Sequence, residues 1–255
     1  MMKTKYYLAI ALIAYLFFLI ASLPAKPVID MLTADRDDIK IDTIRGSLWN
    51  GRAEQLVINK TYTLNKIRWN TQLWRFIFGE LAFDINAVFE KENASAQIGL
   101  GILGNVVAHN IHARIDAETL TDLAKIPLAQ LEGLISLDLD TLHWQQGEIP
   151  IASGKLFWQN ARLTVAETVQ LGNVHIQLVD NNENQMQATI SNQGGNLKTG
   201  GTATLDKLAN YNLLLTLTPS SLSSKNLTNS LNMFAKKQND GSFLVKYDGQ
   251  LDLPQ

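Results

Sequence analysis

The chain has 4 histidines, and their spacing argues against a metal site or a proton relay. His109 and His112 stand three apart in extended, β-branched surroundings. Side chains on a strand alternate between its faces, so the two imidazoles are expected on opposite faces and share no metal. His143 and His175 have no acid or histidine at ligand spacing and read as half-exposed sheet residues. Asp138 and Asp140 share a face as any i, i+2 pair does, and a solvated strand face accounts for them. Gly99-Leu100-Gly101-Ile102-Leu103-Gly104 fits G-x-G-x-x-G letter for letter. A dinucleotide site needs a helix to open just after those glycines, with its N-terminus facing the pyrophosphate. Residues 105–111 are β-branched and extended instead, so the glycines read as a bend between strands. Gly195-Asn196-Leu197-Lys198-Thr199 lacks the glycine before lysine that a phosphate loop needs, and no G-x-S-x-G elbow is present. No catalytic, cofactor-binding or metal-ligating residue is nominated; the chain reads as non-enzymatic and without a cofactor.

The sequons at Asn59-Lys60-Thr61, Asn93-Ala94-Ser95 and Asn226-Leu227-Thr228 are read as turn and strand residues, since such short matches arise by chance. Tryptophans stand at 49, 69, 74, 144 and 158 near strand starts. They are expected to pack the sheet, the alternative being that some line a groove for a lipid or a partner strand.

The elements that would carry these residues follow from composition and period. With 255 residues, 46% hydrophobic and 18% charged, the chain can build one large core or two small ones. Its 22 Lys plus Arg against 24 Asp plus Glu give a net charge of −2, which offers no electrostatic footprint for nucleic acid. The absence of cysteine removes disulfides, thiolate nucleophiles and cysteine-based metal sites.

Residues 6–23 carry no charge, and a helix of that length reaches roughly 27 Å, close to the ~30 Å of a bilayer's hydrocarbon core. Lys3 and Lys5 precede it, so the positive-inside rule keeps the N-terminus in the cytoplasm and sends the rest across. A cleaved signal peptide fits less well: the apolar run is too long, and Leu23 or Ile20 would occupy the position that needs a small residue. Pro24-Ala25-Lys26-Pro27 is expected to leave the membrane as a short stiff linker.

Beyond residue 35 the dominant signal is alternation with period 2. Leu81, Phe83, Ile85, Ala87 and Phe89 oppose Asp84, Asn86 and Glu90; Ile135, Leu137 and Leu139 oppose Ser136, Asp138 and Asp140. The same holds for Val174, Ile176 and Leu178, for Leu213, Leu215 and Leu217, and for Phe243, Val245 and Tyr247. One dry and one wet face is the mark of an antiparallel sheet. Two helices are expected, at 116–125 behind a capping Asp116, and at 219–237 with proline at the start, Leu222, Leu227, Leu231 and Phe234 along one stripe, and lysines at the end.

Gly46-Ser47-Leu48-Trp49-Asn50-Gly51-Arg52-Ala53 is echoed by Gly154-Lys155-Leu156-Phe157-Trp158-Gln159-Asn160-Ala161, and the strand openings at Gly133 and Gly241 repeat the same interval of 108 residues. A duplicated β-unit is expected on that offset.

Taken with the apolar N-terminus, the segment at 46–53, Trp69 with Leu81 after Gly79, the echo at 154–161, and Tyr211 leading into Leu217-Thr218-Pro219, the chain resembles the protein N family of the bacterial type II secretion system over essentially its full length. The resemblance implies an accessory part of the machine that exports folded proteins, held in the inner membrane by one span with its N-terminus in the cytoplasm and its main domain in the periplasm. It implies other secretion subunits as partners and offers no catalytic residues to transfer. The expected organisation is a cytoplasmic tip at 1–5, a transmembrane helix at 6–23, a periplasmic linker at 24–35, and an extended, curved antiparallel sheet in two similar halves, 36–145 and 146–255. The alternative function is a periplasmic lipid-binding or lipid-transfer module, with a lipid as partner, in which the dry face forms an open groove.

Overall fold

A computed structural model describes residues 2–59, 62–72, 74–75, 79–89, 91–101, 104–124, 130–164, 167–181, 185–221 and 223–251. Lys60, Thr61, Glu90, Ile102, Leu103 and Leu222, used in the reading above, and the last residue of the helix expected at 116–125 lie outside the described residues. Two compact units are formed, Met1–Lys91 and Glu92–Gln255.

The first unit opens with helix α1 (Met2–Ala21). It ends where the Ser22 amide and hydroxyl both donate to the Phe18 carbonyl, at 2.9 and 2.7 Å. The described apolar side chains of α1, among them Tyr7, Ile10, Tyr15, Phe18 and Ile20, are exposed. Side chains at positions 2–5, 8, 9, 13 and 17 lie outside the description. Among the described residues no helix is long and apolar enough to cross a membrane, so the span expected at 6–23 is not shown by the fold.

The short stiff linker expected at 24–27 is instead the start of a helix: α2 runs Ala25–Thr33. Pro24 takes the N-cap position with φ −69° and ψ 139°, and Pro27 falls in the first turn, where a helix needs no amide donor. Proline here starts a helix rather than preventing one.

Strands β1 (Ile39–Asp42), β2 (Arg45–Gly46), β3 (Asn50–Ile58), β4 (Tyr62–Thr71) and β5 (Glu80–Phe89) complete this unit. β3 pairs antiparallel with β1, β2 and β4, and β4 pairs with β5. One extra residue in β4 shifts the register between Asn65 and Arg68, where Lys66 takes φ +51°.

The second unit is an antiparallel meander. Its strands are β6 (Glu92–Gly101), β7 (Val106–Asp116), β8 (Gln130–Trp144), β9 (Ile151–Thr164), β10 (Thr168–Asp180), β11 (Gln185–Gln193), β12 (Leu197–Asp206), β13 (Asn210–Pro219), β14 (Lys236–Lys237) and β15 (Phe243–Gln250). Each pairs with its successor up to β13, which pairs with β15; β14 lies outside β15. Helix α3 (Ala117–Ala124) connects β7 to β8 and packs on β8, and α4 (Lys225–Phe234) precedes β14. The mainly antiparallel class read from alternation is thus the observed one.

The helix expected at 219–237 is shorter at both ends. Pro219 closes β13 opposite Leu197, and Ser224 caps α4 by accepting the Leu227 amide at 2.9 Å. Past Ala235 the backbone is extended, so Lys236 and Lys237 pair with β15 and do not stand in the last helical turn. Phe234, expected on the buried stripe, is 51% exposed. Leu227 and Leu231 do point inward, onto Leu197, Leu217, Phe243 and Val245. That cluster is the unit's main core, and it covers one margin of the sheet.

Candidate functional site

Residues 46–53 tie the end of α1 to the strands of the first unit. Pro24 and Ser47 form an isolated antiparallel bridge, and the Leu48 amide donates to the Leu23 carbonyl at 2.9 Å. The Trp49 indole donates to the Ile20 carbonyl at 2.8 Å, and the Trp69 indole donates to Leu48 O at 3.1 Å. Ile20 lies in the last turn of α1, whose carbonyls have no partner within the helix. Trp49 supplies one from outside. Gly51 makes room for Trp69, because a Cβ there would sit 2.3 Å from Cζ2 of the ring.

Beside this junction residues of β2 to β5 line an open pocket of about 740 Å³. Register explains its lining. Arg45 on β2 stands opposite Arg52 on β3, Arg52 opposite Arg68 on β4, and Arg68 opposite Asn86 on β5. The next row on the same face is Asn50, Asn70 and Asp84. Three guanidinium groups therefore occupy consecutive places in one cross-strand row, with neighbouring strands about 4.8 Å apart. Arg45 reaches Glu54 only at 4.0 Å, with both side chains more than 60% exposed, and Asp84 accepts a 2.8 Å bond from Gln72. Neither Arg52 nor Arg68 has an ion-pair partner among the described residues. Sequence reading missed this row because the arginines are 7 and 16 residues apart, and only strand register brings them together.

The histidine expectation is corrected. β7 carries one extra residue between the positions opposite Ser95 and Gln97, with Asn110 at φ +49°. That bulge resets the alternation, so His112 opposite Ser95 and His109 opposite Gln97 share a face. His112 Nδ1 lies 2.9 Å from Asp138, both largely exposed, and no group of three metal-ligating side chains occurs among the described residues. His143 and His175 are exposed strand residues, His175 with its ring 4.4 Å from Phe157. The glycine run ends β6 and turns directly into β7: the Gly101 amide donates to Asn105 O at 2.9 Å, and Gly104 takes φ +80°.

The tryptophans do less core packing than expected. None of them is fully buried, and four indoles donate to backbone carbonyls: Trp49, Trp69, Trp144 to Glu148 at 3.1 Å, and Trp158 to Glu132 at 3.0 Å. Trp74 is 61% exposed and lies under the Arg75 guanidinium. The two echoed segments also differ in setting. Gly46 ends a two-residue strand, whereas Gly154 sits inside the 14-residue β9, where a Cβ would meet Asp138 O at 2.5 Å.

A family model described as type II secretion system protein N matches residues 37–246. A protein of Aeromonas hydrophila named type II secretion system protein N is 22% identical over 256 residues, covering 98% of this chain and all of that relative. No solved structure matches.

Proposed function

The chain belongs to the type II secretion system protein N family, and from that premise we propose that it is a non-enzymatic component of the secretion machine, anchored in the inner membrane with its sheet in the periplasm. The single observation that carries the secretion role is the family match over 210 of 255 residues. Support for the anchor comes from α1, a 20-residue helix whose described apolar side chains are exposed, including Tyr7, Ile10, Phe18 and Ile20. An apolar helix left uncovered by protein calls for an apolar solvent. Met31 and Leu32, 81% and 72% exposed on α2, extend that surface past Pro24. Lys3 and Lys5 place the N-terminus on the cytoplasmic side. Export proceeds through contacts with other machine subunits. Deleting the gene and measuring export of folded proteins, with photocrosslinkers placed along residues 46–53, tests the reading. Reduced export and a crosslink to a secretion subunit are expected; unchanged export with no subunit captured overturns it.

Duplication remains part of this reading. Five strands, a helix and a strand follow one another from β3 to β8, and again from β9 to β15 with only the two-residue β14 added. That order supports two similar halves at 36–145 and 146–255.

One observation favours the lipid-handling alternative. Across the second unit, Ala113, Leu137, Leu156, Ile176, Ile190, Gly201, Leu215 and Val245 are successive register partners on eight strands. Only Val245 in that row is buried; the others are half-buried. An apolar row across eight strands is about 33 Å long at ~4.8 Å per strand, enough for an acyl chain.

A further inference from the structure

We infer that the cross-strand arginine row of the first unit is a binding site for a phosphate-class anion. Like charges directly opposite one another on neighbouring strands destabilise a sheet, yet Arg45, Arg52 and Arg68 hold three consecutive places. The nearby acids do not relieve this. Glu54 stands at 4.0 Å from the outermost arginine, and Asp84 is engaged by Gln72. Among the described residues Arg52 and Arg68 have no ion pair, and they line an open pocket of about 740 Å³. An anion seated between them turns the repulsion into attraction.

The chemistry of the lining selects the class. One carboxylate is satisfied by a single bidentate guanidinium, whereas a phosphate offers several oxygens to several donors. The row presents guanidinium forks on adjacent strands, and Asn50, Asn70 and Asn86 add amide donors on the same face. The cavity also adjoins the segment that receives the end of α1, since Asn50 follows the tryptophan bonded to Ile20. Both a phospholipid headgroup and a free phosphate meet these requirements.

The test uses the purified full chain in neutral detergent. Its thermal unfolding is followed with inorganic phosphate, with dihexanoyl phosphatidylglycerol, with a short poly-glutamate peptide, and with sodium chloride at matched ionic strength. A ligand that binds only the folded state raises the melting temperature in a saturable way. The expected result is a saturable rise with phosphate, with the short-chain lipid, or with both, beyond that from chloride. Arg52→Gln and Arg68→Gln should weaken it by about 10-fold or more, as losing a charge-assisted bidentate contact implies. A rise with the lipid alone identifies the headgroup as source; a rise with phosphate alone identifies the free anion. No rise beyond chloride, an undiminished rise in both variants, or a response to poly-glutamate alone overturns the inference. If either variant fails to fold, Arg45→Gln on the exposed two-residue β2 makes the same comparison. Binding is read on the purified chain and export in cells, so the anion site and the secretion role can fail separately.

Discussion

Gly51 is a position where one added methyl group has no place to go. Its missing side chain is occupied by the Trp69 ring, which in turn bonds Leu48 and so fixes the loop carrying Trp49. Gly51→Ala is expected to destabilise by about 1–3 kcal/mol, the usual cost of overpacking, seen as a fall in melting temperature of several degrees. Trp49→Phe keeps an aromatic ring but loses the pyrrole ring and its bond to Ile20, and is expected to cost about 1 kcal/mol for the bond alone. Asp206 gives a pH-dependent counterpart. Its carboxylate accepts from the Asn210 side chain at 2.9 Å and from the amides of Asn210 and Leu208 at 2.8 and 2.9 Å. Those bonds, the Asn210 side chain first, favour the charged form and hold its pKa below the ordinary aspartate value. A depressed folded-state pKa gives stability that is present above the unfolded pKa and lost as pH falls through the folded one. Melting temperature should therefore decline on the acid side less steeply in Asp206→Asn than in the parent, and equal slopes would show that the β12–β13 turn contributes nothing to acid lability.

Strands were easier to read than helices, and α4 shows why. Period-2 alternation reports directly which residues face the core, and Leu213, Leu215 and Leu217 keep the same face along β13. A helix is bounded by caps and by what its flanking backbone pairs with, and pairing is set by distant strands. Pro219 looked like a helix start but finishes β13, and Lys236 and Lys237 looked like a helix end but bond β15. Bulges are hard to read for a related reason: asparagine tolerates the left-handed region but most asparagines do not adopt it, and lysine gives no such signal, yet Asn110 and Lys66 each reset which side chains share a face. The arginine row depends on such registers and could not be read without them. Within α4 two neighbouring positions of the expected stripe, Leu231 and Phe234, differ in burial. Leu231 is 2% exposed and packs in the core cluster, so Leu231→Ala should cost about 2–5 kcal/mol. Phe234→Ser, on an exposed position, should stay within about 0.5 kcal/mol of the parent. Paired denaturation curves decide between this short helix and the longer one: comparable losses at both positions would restore Phe234 to the buried stripe.

At the scale of the molecule, two unlike surfaces are available for function, a cationic pocket in the first unit and an apolar row in the second. The net charge of −2 shows how little bulk composition reveals of either. In the second unit α3 packs on β8, and α4 covers the register partners Leu217 and Phe243. The adjacent row, through Leu137, Leu156, Ile176, Ile190 and Leu215, stays partly open to solvent. If that row serves only to stiffen the sheet, a charge placed on it costs some stability and changes nothing that copurifies. If it receives acyl chains, a charge in the middle of the row removes the apolar path while the hydrogen-bonded ladder stays intact. Ile190→Lys tests the difference, since a lysine stem can lie along the half-buried site and still bring its ammonium to solvent. Native mass spectrometry of the parent chain should then find phospholipid bound in substoichiometric to equimolar amount. The variant should lose most of it while remaining folded by circular dichroism. A parent chain that carries no lipid after membrane extraction, or a variant that carries as much, assigns the apolar row to the architecture of the sheet and leaves the secretion role to the edges and to the junction at Trp49.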